Sequence, residues 1–157
     1  MKMGKISLLV AITAMLALFV VMFVRIGDPT VSHSTKFSVD EAYARAVGAS
    51  AMAGAAFMQI TNQSGQDDIL TGAKTDVSAM TELHTHIDDG DGVIKMRQIT
   101  GGIKLAAGET IVMKRGGDHV MLMGLNDSLD TGETLEITLT FKEAGDVIVE
   151  VPVDNDR

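Results

Sequence analysis

The chain has 157 residues, and setting aside a uniformly apolar N-terminal stretch leaves one domain of about 115 residues, enough to bury a core without disulfide or metal support. With no cysteine, disulfides, zinc–thiolate sites, iron–sulfur clusters, thiol catalysis and the thiolate of a blue-copper centre are all excluded. The net charge of −8 is uneven: residues 1–27 hold Lys2, Lys5 and Arg25 and no acid, while the rest carries 21 acids against 10 bases. That balance excludes a general phosphate-backbone binder, so no nucleic-acid partner is expected.

Residues 6–24, ISLLVAITAMLALFVVMFV, contain no charge. As a helix they span ~28 Å, close to the hydrocarbon thickness of a bilayer. The segment is longer than a signal-peptide core and ends without a small-x-small cleavage motif, so residues 1–26 are expected to be a signal anchor, with a cleaved signal peptide as the runner-up. Lys2 and Lys5 ahead of it favour an N-terminus left in the cytoplasm and an exported domain. Residues 27–37, GDPTVSHSTKF, read as a polar linker holding His33. The domain is then expected over 38–157.

From Ser38 onward, short β-branched runs alternate with Gly, Asp and Asn clusters. Strands are predicted at 42–48, 54–62, 68–75, 79–87, 92–99, 110–114, 119–123, 133–141 and 146–152. The alternation is clearest in ETLEITLTF, where Leu135, Ile137, Leu139 and Phe141 share one face, and in Val147, Val149 and Val151. So many short strands in one domain predict a two-sheet sandwich or small barrel. DDGDG at 88–92 and RGGD at 115–118 are turn chemistry. The first lacks the alternating acidic frame and the twelfth-position Glu of a calcium loop. No nucleophile elbow frames Ser78, His84 and Asp88, and no Gly-rich phosphate loop leads a helix, so an enzyme is not expected.

The stretch from His84 to Met123 concentrates the chemistry. His84 and His86 share a strand face, as do His119, Met121 and Met123, and Met96 lies between them in the alternating run Ile94, Met96, Gln98. Imidazole and thioether without thiolate form a soft-to-borderline donor set that favours Cu(I), or copper in more than one oxidation state, over Zn, Mg or Ca. Methionine is also common core filler, the role expected for Met52, Met58, Met80 and Met113. The segment DHVMLMGL fits a buried strand as well as a ligand strand.

The order His84, eleven residues, Met96, twenty-two residues, His119-Val120-Met121 resembles the signature of the PCu(A)C family of periplasmic copper chaperones: a His, an often-Met next position, ten residues, a Met, about twenty-one residues, then His-x-Met. The words ELH at 82–84, GGDHVMLMGL at 116–125, TLTF at 138–141 and AAFMQITN at 55–62 match as well, so the resemblance covers roughly Val39 to Val153. Here the middle spacing is one residue longer, the extra residue falling near Thr100-Gly101-Gly102; Thr85 stands at the often-Met position, and Tyr43 where an early Trp is common. The resemblance implies an all-β, cupredoxin-like β-sandwich or barrel, which the apolar segment read above would precede with one N-terminal transmembrane helix. It also implies Cu(I) held by His84, Met96, His119 and Met121. His86, and more remotely His33, would assist with Cu(II), and Met123 would pack behind the ligands or join them. The implied function is delivery of copper to a respiratory oxidase subunit, in particular the copper A site of cytochrome c oxidase, or to other copper assembly proteins. The implied place is the periplasmic side of the cytoplasmic membrane, or the free periplasm if the leader is cleaved. The alternative is a copper buffer or resistance protein with no dedicated client.

Overall fold

A computed structural model of the chain describes residues 36–47, 52–88, 90 and 92–157. The expected membrane segment, most of the expected linker and His33 lie outside the described residues; within them no helix is long and apolar enough to cross a membrane. The described part is all-β, with ten strands: β1 Phe37–Ala46, β2 Ala53–Asn62, β3 Asp68–Lys74, β4 Ser78–Asp88, β5 Ile94–Gln98, β6 Ile103–Leu105, β7 Thr110–Met113, β8 His119–Leu125, β9 Thr134–Phe141 and β10 Gly145–Pro152. One sheet runs β1-β2-β8-β4-β5 with β7 also on β2; the other runs β10-β9-β3-β6. Their inner faces share one apolar core, in which Ile137, Leu139, Val149 and Val151 from the second sheet meet Ala56, Met58, Ile60, Val120 and Leu122 from the first.

Two differences from the sequence reading have local causes. The first strand starts at Phe37, not 42, because a bulge interrupts its alternation: the register against β2 shifts between Asp40 and Tyr43, and Glu41 has φ of 52°. Phe37 and Val39 point into the core before the bulge, Ala44 after it, so the inward positions change from odd to even. The unpredicted β6 has only three residues, yet its Leu105 is fully buried against β3. The bulge has a functional result, since it turns Tyr43 and Arg45 onto the outer face of the larger sheet.

At the far end of the second sheet, the turn joining β9 and β10 is held by one buried carboxylate. Asp68 accepts from the N–H groups of Glu143 and Ala144 at 2.9 Å each and from that of Ile69 at 2.7 Å. Burial by itself raises its pKa, but the N–H groups of Glu143, Ile69, Ala144 and Lys142 together outweigh it and hold the group below 3.8. A depressed carboxylate pKa adds stability that is complete above the unfolded value and lost as pH falls through the folded one. Asp68→Asn should therefore flatten the acid limb of the stability curve below about pH 4 and cost ~1–3 kcal/mol at neutral pH, since an amide NH₂ replaces one acceptor facing an N–H. Urea unfolding at pH 7 and at pH 3.5 checks both; an unchanged difference between the two midpoints would rule the account out.

Candidate metal centre

Register fixes which side chains meet on the outer face of the larger sheet. Directly paired residues of antiparallel strands share a face. His84 on β4 pairs with His119 on β8, and Glu82 pairs with Met121. His86 pairs with Met96 across the β4–β5 ladder, and Ala55 with Met121 across β2–β8. The outer face thus carries, row by row, Ala55, Met121 and Glu82; then Phe57, His119, His84 and Gln98; then His86 and Met96. Met121, Phe57 and Ala55 are buried but do not belong to the core between the sheets. They form a separate layer on the other side, which makes β8 buried on both faces and explains why HVMLMGL reads as unbroken hydrophobic sequence.

RGGD forms a turn, as its sequence predicts, but the turn does not join a hairpin. β7 and β8 both pair antiparallel with β2, β7 along Met58–Thr61 and β8 along Ala53–Ala56, so the chain continues in one direction and residues 114–118 form an excursion. Lys114 N–H donates to the Asp118 carbonyl at 2.9 Å and Gly117 N–H to the Lys114 carbonyl at 3.0 Å, closing the loop on itself. The loop delivers the Gly117 carbonyl over the histidines, where it accepts from His119 Nδ1 at 2.9 Å and from His86 Nδ1 at 3.3 Å. A carbonyl has two lone pairs and accepts only, so both rings carry their proton on Nδ1 and keep a lone pair on Nε2.

A cavity of about 420 Å³ opens here, lined by His86, Met96, His119 and Met121, with Phe57, Ala55, Arg45 and Arg115 among its walls. Three of the four residues implied by the family signature therefore share one cavity, and His86 joins them. The fourth, His84, is not on the cavity wall. Its ring lies 6.0 Å from that of His119, centroid to centroid, against 5.1 Å for His86. Its Nε2 is held 2.8 Å from a carboxylate oxygen of Glu82, and its Nδ1 is buried with no partner. With Nε2–H given to the carboxylate, Nδ1 is an unused lone pair, an arrangement that costs about 1–3 kcal/mol unless something occupies it.

His119 is 2% exposed. Burial lowers its pKa from 6.5; the Gly117 carbonyl opposes that, while His86 and His84 push further down and Asp118 back up. Its Nε2 lone pair is thus available at neutral pH without displacing a proton. Burial is graded along the candidate ligands, Met121 being 9% exposed and Met96, on the edge strand, 45%. Glu82, Phe57 and the Gly117 carbonyl did not emerge as site residues from the sequence; Glu82 carried a signal, since Glu82, His84 and His86 alternate on one face. Among the methionines expected as core filler, Met58 and Met113 are buried, but Met80 is 52% exposed and Met52 62%.

The LpqE-like family, described as "Putative lipoprotein LpqE-like", matches residues 37–153. A relative from Leifsonia xyli subsp. xyli, "Putative lipoprotein Lxx21020", is 31% identical over 115 residues, 73% of this chain and 68% of its own length. Among solved structures, CuI-DR1885 from Deinococcus radiodurans matches with a TM-score of 0.60 at 33% identity, over 78% of this chain and 83% of that one. The copper-bound PCuAC domain from PmoF2 matches with a TM-score of 0.65 over 80% of this chain and 98% of its own; at 21% identity that likeness bears on the fold alone. The resemblance to PCu(A)C proteins read from the sequence is borne out, and the chain belongs to the LpqE-like family.

Proposed function

We propose that this protein is an extracytoplasmic Cu(I) carrier, not an enzyme, that binds one ion through His84, Met96, His119 and Met121. The observation that carries the reading is the outer-face cavity, where Met96, His119 and Met121 converge beside an imidazole, His84, whose buried nitrogen has no partner. Among the described residues no three His, Asp or Glu side chains are grouped to hold a metal ion, so a complete shell around His119 draws on the thioethers. Two imidazoles and two thioethers are neutral and soft, which suits Cu(I) and lets thiolates on a receiving protein take the ion. The copper named in the matched DR1885 structure, at 33% identity, supports the same cargo. His86, hydrogen-bonded at the cavity, supplies the additional imidazole for Cu(II).

The client in this reading is a copper-receiving subunit of a respiratory oxidase, through its copper A site. The lipoprotein name of the Leifsonia relative supports a place outside the cytoplasm and at the membrane. The 157 residues here hold no cysteine to carry a lipid, and the apolar stretch 6–24 would serve as the anchor instead. Tethering raises the local concentration of carrier at a membrane-bound client without tighter binding. A copper buffer would use the same ligands, and transfer of Cu(I) to an apo copper A domain separates the two.

Anaerobic titration should give a 1:1 Cu(I) complex, and X-ray absorption should show nitrogen and sulfur scatterers together. Met96→Ala, on the exposed edge, should weaken binding about tenfold or more, ~1.4 kcal/mol, without affecting the fold. A shell with nitrogen only, or unchanged binding in Met96→Ala, would count against the assigned donors.

A further inference from the structure

Met80 sits in strand β4, where a methionine was expected to fill the core, yet half of it faces solvent. Its direct partner across the ladder is Met123 of β8. Paired residues have Cβ atoms about 4.5–5.5 Å apart, a distance that two flexible thioether arms can span to bind one ion between them. The pair lies on the same face as the metal centre, one side-chain row beyond Met121 and Glu82. From exposed Met80 on β4, the same face continues along β8 in successive rows, through half-buried Met123 to buried Met121 and then His119. Glu82 stands beside this line, opposite Met121, with its carboxylate on His84.

We propose that Met80 and Met123 form a second, weaker site for a soft monovalent cation, Cu(I) or Ag(I), through which the ion enters and leaves the centre described above. This rests on the Cu(I) reading of that centre. Two neutral thioethers bind a soft cation without the imidazoles that hold it firmly at His119, so the ion stays mobile. Passage inward is ligand exchange: a bond to the Met121 sulfur forms as one to Met123 breaks, and the copper keeps its oxidation state throughout. The Glu82 carboxylate lowers the electrostatic cost of a cation between the two positions.

The test is the full chain in detergent, carrying ¹³C-methyl methionine, titrated anaerobically with Ag(I), which is redox-inert. The first equivalent should shift the methyls of Met96 and Met121. The second should shift those of Met80 and Met123, with affinity about a hundredfold or more below the first. Met80→Leu, at a half-exposed position, should abolish the second-equivalent shift of Met123 while the first-equivalent shifts persist; Met123→Leu should do the same to Met80. Met80 and Met123 methyls that stay still through the second equivalent, or a Met123 shift that survives in Met80→Leu, would overturn the pair. Failure of the main centre shows separately, as unmoved Met96 and Met121 methyls, with Met80 and Met123 still reporting on their own site.

Discussion

Replacing Phe37 by alanine should cost about 3–5 kcal/mol, a large share of the ~5–15 kcal/mol that holds a domain of this size. Phe37 is fully buried although it is the first residue of the first strand. Its ring stacks on that of Phe141 with centroids 3.9 Å apart and planes 15° from parallel. Because Phe37 belongs to the larger sheet and Phe141 to the smaller, the pair joins the two layers. Truncation leaves a void between sheets whose backbone hydrogen bonds keep them from collapsing into it. Thermal unfolding should show a Tm lowered by roughly 10–20 °C. Cu(I) affinity of the folded protein should stay within about threefold, because the metal centre lies on the opposite face of the sheet. A Tm loss of only a few degrees would mean that β1 begins later than Phe37 and that the inter-sheet contact contributes little.

Phe37 also marks how far the sequence could be read. Strands with strict alternation, such as Thr134–Phe141 and Gly145–Pro152, were visible because period two is their only pattern. β1 was truncated because the bulge after Asp40 changes which parity faces inward, and a reading that demands one parity stops there. β6 was invisible because three residues carry no period. The candidate site was legible as a set of residue types and spacings, and His119, Met121 and Met96 do line one cavity. What spacing could not supply was register between strands distant in sequence. Register places His86 opposite Met96 and His84 behind, with Glu82 on its Nε2. It also turns Met80 outward beside Met123, where composition alone suggested core filler.

The loop at 114–118 links fold and site in a way that neither motif nor topology conveys separately. β7 and β8 lie end to end on one edge of β2, so the intervening residues have no ladder partner on β2. They close instead on their own Lys114 and Asp118 groups, which frees the Gly117 carbonyl to fix two imidazole tautomers at once. In the neutral ring each Nε2 then keeps its lone pair, which would lower the reorganisation needed were a metal to bind there.

His119→Ala should have the largest effect on copper, lowering Cu(I) affinity at least about a hundredfold, ~2.7 kcal/mol. His119 is the central group: its ring contacts those of Phe57, His84 and His86, and its own residue spacing presents Met121 one row away. The substitution also removes a buried ring and leaves the Gly117 carbonyl with one partner fewer, so the apo protein should itself lose stability. The informative quantity is consequently the copper-dependent rise in Tm of each variant over its own apo form. A ligand that binds only the folded state stabilises it by RT ln(1 + [L]/Kd), about 4.1 kcal/mol at a thousandfold excess over Kd. Wild type should show that full increment under buffered Cu(I). His119→Ala should lose at least ~2.7 kcal/mol of it, since a hundredfold weaker site at the same free Cu(I) is stabilised correspondingly less. His84→Ala should lose more of the increment than His86→Ala, because His84 is the imidazole assigned to the Cu(I) shell and its buried Nδ1 has no partner. Were the order of those two reversed, the second imidazole of the Cu(I) shell would be His86. A full increment retained in His119→Ala would remove the centre altogether, because His119 is the imidazole that lines the cavity with both Met96 and Met121 and stands beside His84.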